Sequence, residues 1–561
     1  MTTPAAKIES PKQFAAWLAA LFLIVLGAKL WVVQLFGSPL PLWDQWYEAT
    51  LFFQPWLAGH LTWRDFFVPS NEHRIVFTKL LDMALIKMNG RWEPLLQMAV
   101  NCFIHAAFVC ALATALWNFF GRRNGWLICF LLAPFYALPY AAENTIWAIN
   151  SQQYCMSLCA LGAIAGLGFG KCGGARWWLG LAAAFAGLFT MASGFLAAAT
   201  VFGLVTLRSL KNRRVEKENY VTLGVCLLVI ALGLALKVSM PADAPLRAHT
   251  AGEFFTALAH NLAWPFMAHF QFLWLVPLLP LALLLGFYFC KNFTDARAAE
   301  FLLALGWWSA LQSAAIAYGR ANYGDGFPAS RYMDVLNIFI IAGIFSIVWL
   351  QSKISRSPGL SGLLPLLPLA FAGVMYFQIG TISGLVVDQL LKPTAAMNLV
   401  AAERVENFMA AGDEKEFATP PTVRPDPKVI RGILQSPALR PILPAACQPP
   451  TAKSVPGFLA LTADGFINHA QLILGAGLFL FVGRLGFSAA RKELAGLLVL
   501  LALLTALGFV WSRSGSTRRS EEYILQSQLA AMFELNHNPQ RAAIHAAKAA
   551  ALKPEANRPL P

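Results

Sequence analysis

The segment FAAWLAALFLIVLGAKLWVVQLF, running from Phe14 to Phe36, is apolar over about the length that a helix needs to cross a bilayer. It is longer than the core of a secretory leader, and no small-x-small cleavage site precedes the polar turn Gly37-Ser38-Pro39, so it is expected to stay attached as a membrane helix. Similar blocks recur at about 95–120, 126–142, 151–170, 177–207, 220–239, 264–290, 300–318, 333–350, 361–387, 466–484 and 494–511. With 57% hydrophobic and 13% charged residues in 561, the chain departs from soluble proteins, in which roughly a quarter of residues are charged. The reading is an all-α, polytopic transmembrane bundle of about 12 or 13 spans.

The count turns on the block 177–207, which is too long for one untilted span and is broken by Thr190-Met191-Ala192-Ser193-Gly194. Read as two short helices, and with the N-terminus inside, it leaves every short inner loop positive, from Arg122 and Arg123 through Arg208, Lys211, Arg213 and Arg214 to Lys353 and Arg356. The excess of Lys and Arg behind the net charge of +14 is then topological, and no basic run interleaved with aromatics points to nucleic acid. Most of the nine cysteines lie in apolar blocks and only Cys447 falls in a long polar segment, which supports neither a disulfide framework nor a thiol metal site.

Three outer segments remain for chemistry: Gly37 to Pro94, Gly319 to Tyr332, and Asp388 to about Val455. The inner loops are too short for a nucleotide-binding fold and carry no phosphate-loop motif, which disfavours ATP-driven transport and cytosolic nucleotide-sugar chemistry. Just past the first span, Asp44 and Glu48 stand four apart among aromatics. Asp44 either caps an interfacial helix after Pro41 or acts as a base, and Glu48 reads as solvated. Glu72-His73-Arg74 opens an amphipathic stretch behind Ser70 or Asn71 as N-cap; Glu72 suits a first helical turn, and Arg74 suits a phosphate. Glu143 is the one charge in its outer turn, beside Trp147, whose ring offers a stacking face to a sugar. Arg320 and Arg331 enter another outer turn against the positive-inside trend, and their planar forks match phosphate oxygens unless they pair with Glu143, Asp325 or lipid headgroups.

This arrangement resembles the polytopic GT-C class of glycosyltransferases, which use polyprenyl-phosphate-linked sugars at the outer membrane face. The likeness rests on Asp44 after the first span, helical segments at about 43–59 and 71–90, and the paired short helices around Ser193, and it covers roughly residues 10 to 390. The Asn71-Glu72-His73-Arg74 and Ser330-Arg331-Tyr332 segments are also similar to those of bacterial members. The resemblance implies that Asp44 takes the proton of an acceptor hydroxyl and that Arg331, Arg320 and Arg74 hold the departing lipid phosphate. His73, Trp147 and Tyr332 would then face the substrate, and Glu48, Glu72 and Glu143 would be candidate second acids. Asp44 is followed by Gln45, not by a second acid as in some members, and no His/Cys cluster has ligand spacing, so no cofactor and no obligatory metal are expected.

The expected organisation is a catalytic membrane module over 1–390 with its outer loop at 37–94, a Pro-rich outer segment over 391–465, two further spans over 466–511 and a helical tail over 512–561. The Pro-rich segment reads as a cover over the groove, an acceptor-contacting lobe or a linker. The tail resembles one tetratricopeptide unit, which would dock on the membrane part or on a protein partner, or else an Ala-rich hairpin. The expected function is sugar transfer from a polyprenyl-phosphate donor to a lipid, glycan or protein acceptor in a bacterial inner membrane. The alternatives are a flippase or transporter of lipid-linked sugars, and a polysaccharide polymerase or ligase.

Overall fold

In the computed structural model, which describes residues 8–266, 272–290, 296–323, 328–354, 367–417, 427–449, 457–486, 530 and 539–552, the regular elements are helices, and no strand forms among the described residues. Helix α1 (Pro11–Phe36) shows why the opening block becomes one uninterrupted element. Ser10 caps it, Gln13 closes the capping box, Pro11 occupies the first turn, and Gly37 ends it in an extended conformation. Next come α2 (Val76–Asn89), α3 (Pro94–Phe119), α4 (Gly125–Ala137), α5 (Ser151–Leu167), α6 (Ala175–Gly187), α7 (Leu196–Asn212) and α8 (Lys217–Ala235). The chain goes on through α9 (Ala251–Ala263), α10 (Leu275–Cys290), α11 (Arg297–Arg320), α12 (Met333–Ile354) and α13 (Leu367–Val386). It closes with α14 (Lys392–Ala411), α15 (Pro427–Gln435), α16 (Phe458–Asn468), α17 (Ala470–Gly486) and α18 (Pro539–Leu552).

Among the described residues six helices are long and apolar enough to cross a membrane, and two bent pairs bring the number to eight. The expected 12 or 13 spans exceed this because several apolar blocks fold as helices of 13 to 17 residues, among them α5, α6, α7 and α10. The block 177–207 is two helices, α6 and α7, joined by the turn that holds Thr190 and Ser193. The expected span at 494–511 lies outside the described residues, as does the tail apart from Ala530 and α18.

Helix α1 runs through the middle of the bundle, against α3, α4 and α17. Its contact with α17 is backbone to backbone: a Cβ built on Gly27 would stand 2.7 Å from the Leu474 Cα, and one on Gly477 would stand 2.7 Å from the Ile24 nitrogen. Helices in lipid gain their association from close van der Waals packing, which small residues permit. The α5/α6 hairpin uses the same device, with Gly166 against Gly180.

Outside the bundle the first outer loop and the Pro-rich segment build one apolar core. Trp46, Phe53 and Trp92 of the loop meet edge to face, and Val405, Phe408, Ile433, Leu439 and Leu443 pack with them. The Pro-rich segment is therefore joined to the loop as a lobe. It is also continuous with the bundle, because α13 and α14 form one helix from Leu367 to Ala411 through a π-helical stretch at Val387–Leu391. The boundary expected near 390 falls inside this helix.

Gly27→Val should lower the thermal unfolding midpoint of the detergent-solubilised protein, corresponding to about 1–3 kcal/mol of overpacking. Gly475→Val, where an added Cβ meets nothing within 4 Å, should leave it unchanged, and equal midpoints for the two variants would count against the close crossing.

Candidate functional site

At the end of the bundle where α1 stops and α5 starts, a cavity of about 840 Å³ opens between the first outer loop, the segment before α5, the turn before α12 and the start of α14. Asp44, His73, Glu143, Trp147, Arg320, Arg331 and Tyr332 all line it, together with Asn71, Asp243 and Tyr323. Residues spread over nearly 300 positions of sequence thus face one space.

Asp44 is held there by strained backbone. Trp43 and Asn71 both have φ 50°, a left-handed conformation that costs a non-glycine residue on the order of 1–3 kcal/mol. Reciprocal backbone hydrogen bonds between Ser70 and His73 close the turn that carries Asn71. The Asn71 side-chain amide donates to Asp44 Oδ2 at 2.8 Å. Trp43, turned by the same kink, leans on Trp147 with ring centroids 5.5 Å apart. Burial raises the Asp44 carboxyl above the ordinary carboxylate range and the nearby Asp243 adds to this, while Arg331 and the Asn71 amide pull against it.

Arg331 and Glu143 form the firmest pair in the site. Arg331 Nη1 lies 3.1 Å from Glu143 Oε1, and Glu143 Oε2 accepts from the Arg331 backbone N–H at 2.8 Å and from the Ser330 hydroxyl at 3.1 Å. The Arg331 guanidinium is also flanked by the rings of Tyr332, Tyr323 and Trp147. Arg320 Nη2 contacts Glu72 at 3.2 Å and Asp243 at 3.3 Å, and Glu72 takes a second arginine, Arg247, at 3.1 Å. His73 Nδ1 accepts the Ala192 backbone N–H at 3.2 Å, which leaves the ring proton on Nε2. Burial, helped by Arg320 and Arg331, pushes the His73 pKa down to about 4, so this imidazole is neutral at physiological pH.

Three expected site residues lie elsewhere. Glu72 does not line the cavity and acts from behind it, through Arg320 and Arg247. Arg74 gives its guanidinium to the carbonyls of Phe67 at 2.6 Å and Leu236 at 3.3 Å, tying the first outer loop to the end of α8; it too is absent from the cavity wall. Glu48, expected in solvent, is buried instead. The short helix Gln45–Glu48 turns it inward, where burial raises its pKa and Lys79 and the Ser70 hydroxyl oppose the shift. Asp325 is outside the described residues.

Compared with known proteins, the chain matches no family model, no curated sequence and no solved structure. Among the described residues no three His, Cys, Asp or Glu side chains gather in a way that would hold a metal ion.

Asp243 and Tyr323 also line the cavity and are not among the residues expected there. Asp243 sits in a short 3-10 turn, Pro241–Leu246, that the hydropathy blocks leave between two apolar segments; a charged, Pro-flanked segment there was the available signal. A further polar layer lies beneath the cavity wall. Asp334 accepts from the Asn144 amide at 3.0 Å and the Tyr140 hydroxyl at 3.4 Å, while Asn144 also donates to the Arg331 carbonyl at 2.9 Å. Lys29, buried in α1, donates to the Leu138 carbonyl at 3.0 Å. A lone lysine amid a span is the sequence signal for this layer.

A double-mutant cycle of Glu143→Gln and Arg331→Gln should return a coupling of about 1–3 kcal/mol in thermal stability, since the pair shares charge-assisted hydrogen bonds in a largely water-poor wall. Additive effects would show that the two side chains do not meet.

Proposed function

We propose that this chain is a membrane glycosyltransferase of GT-C type, which moves a sugar from a polyprenyl-phosphate-linked donor to a lipid, glycan or protein acceptor on the outer face of a bacterial inner membrane. The observation that carries the reading is that Asp44, Arg320 and Arg331 face the same cavity, a base and two cations within reach of one substrate. In the step proposed, an acceptor hydroxyl oxygen attacks the anomeric carbon and the bond from that carbon to the phosphate oxygen breaks. The electron pair leaves with the polyprenyl phosphate, and the hydroxyl proton passes to Asp44.

The environment suits these roles. Partial burial makes Asp44 a stronger base than an exposed aspartate, and the Asn71 amide fixes one of its oxygens so that the other is available to the acceptor. The guanidinium forks of Arg320 and Arg331 match phosphate oxygens and would hold the charge that grows on the leaving group. Neutral His73 offers an Nε2–H donor to a sugar hydroxyl, and the Trp43–Trp147 pair offers apolar ring faces.

Asp44→Asn should lower sugar transfer by about 10²- to 10⁴-fold while donor binding persists, measured with purified protein and a labelled lipid-linked sugar; full turnover by this variant would remove Asp44 as the base. The folded state raises the Asp44 pKa, so its ionisation costs stability as pH rises through that value. Asp44→Asn should accordingly melt no lower than the wild type at neutral pH, which separates lost chemistry from lost folding.

The same shift sets the acid limb of the rate. Transfer needs the carboxylate, so kcat/KM should fall as pH drops through a value above the ordinary aspartate range. His73 should leave no inflection between pH 6 and 8, because burial holds its pKa at about 4. A limb at the pKa of an exposed aspartate would mean that Asp44 is not desolvated in the working enzyme.

A further inference from the structure

We propose that a groove at the opposite end of the bundle from Asp44 binds an anionic phospholipid, its phosphate on Arg122, Arg176 and Arg297 and an acyl chain along α3 and α5. The groove encloses about 670 Å³, within the range of small-ligand pockets. Its walls are Ala111, Ala115, Leu158, Leu161, Ala165 and Phe169, with Thr114 and Asn118 near the mouth, and among the described residues no carboxylate lines it.

Helix α11 fixes where this groove lies. It begins at Arg297, on the groove, and ends at Arg320, on the Asp44 cavity. Its 24 residues rise about 36 Å, so the two sites are roughly one bilayer apart and face opposite leaflets.

The positive-inside trend explains why arginines collect on this side but not why three of them line one apolar groove. Two of the three are placed against local preference: Arg176 and Arg297 stand in the first turns of α6 and α11, where the helix dipole disfavours cations. Arg297 is also not spent on the nearest acid of its own helix. Glu300 is taken by Arg208 at 2.9 Å and by the Tyr288 hydroxyl at 2.9 Å, while Arg297 Nη2 donates to the Phe169 carbonyl at the groove wall. Arg122, held in a left-handed conformation with φ 58°, lays its guanidinium over Trp117. Guanidinia at the mouth of an apolar slot match the two halves of a phospholipid, and each basic group near an anionic headgroup contributes on the order of 1 kcal/mol. A free phosphate would use the arginines and leave the apolar wall without a role.

The test uses the delipidated full-length chain in neutral detergent, with native mass spectrometry counting bound phosphatidylglycerol against phosphatidylcholine of the same acyl chains. The wild type should bind phosphatidylglycerol about ten- to a hundred-fold more tightly. The triple variant Arg122→Gln/Arg176→Gln/Arg297→Gln should lose that preference, and Ala165→Trp, which fills the groove and keeps the arginines, should weaken both lipids. Should the triple variant not fold, Arg176→Gln alone should lose about five-fold. Equal binding of the two lipids by the wild type, or an unchanged preference in the arginine variants, would overturn the proposal. So would displacement of phosphatidylglycerol by excess inorganic phosphate together with no effect of Ala165→Trp, which would make the groove a plain anion site. None of these readouts depends on sugar transfer.

Discussion

Glu143 and Arg331 lie on the cavity wall at the end of the apolar bundle, and neither can lose water there without the other. Removing one partner of such a pair leaves a poorly solvated charge, which is why these pairs constrain geometry more than they add net stability. Here the constraint is unusually complete, since one carboxylate takes the Arg331 guanidinium, the Arg331 backbone N–H and the Ser330 hydroxyl together. The turn before α12 is thereby locked to the segment before α5. Beneath it, Asn144 spans the Arg331 carbonyl and Asp334, extending the lock into the buried layer that also contains Lys29. The far wall of the cavity, with Asp44, is set against this fixed one.

Charge balance around the cavity shapes what it can bind. Four carboxyl groups, on Asp44, Glu72, Glu143 and Asp243, stand against three arginines, Arg247, Arg320 and Arg331, and each of these arginines contacts one of the carboxyls. An incoming phosphate therefore does not meet a bare cation. It would have to share or replace a carboxylate on a guanidinium: Arg320 is shared between two acids at 3.2 and 3.3 Å, and Arg331 adds an aromatic flank to its carboxylate. Such exchange favours an anion that also gains contact elsewhere, as a lipid-linked sugar would on Trp43 and Trp147.

The helical, membrane-spanning character of the chain was legible because hydropathy over a span is a local property. The break at Thr190 to Gly194 was legible for the same reason. Seven of the ten residues singled out for the site line the cavity, and four of them, Asp44, Glu143, Arg320 and Arg331, are of charged types that are costly at the ends of apolar blocks. Burial and direction were not legible. Glu48 and Asp44 share a helical face by spacing, yet a kink at Trp43 and the partners Lys79 and Ser70 take one inward and leave the other on the cavity. Arg74 follows His73 in sequence and diverges from it in space because it answers two orphan carbonyls, at Phe67 and Leu236, that hydropathy does not reveal. Asp243 was missed because its partners are more than seventy residues away.

Two π-helical segments form among the described residues, Ala49–Phe53 and Val387–Leu391. The first follows the short helix that begins after Asp44, and the second contributes Gln389 and Leu390 to the wall. A wider helical turn is less favourable than the α form and occurs mostly where function holds it. The two elements carrying these turns are also the two halves of the lobe, packed through Trp46, Phe53, Val405 and Phe408. The continuous helix from α13 through Val387–Leu391 into α14 thereby links the apolar bundle to the lobe and supplies part of the cavity wall on the way, at Gln389, Leu390, Pro393 and Thr394.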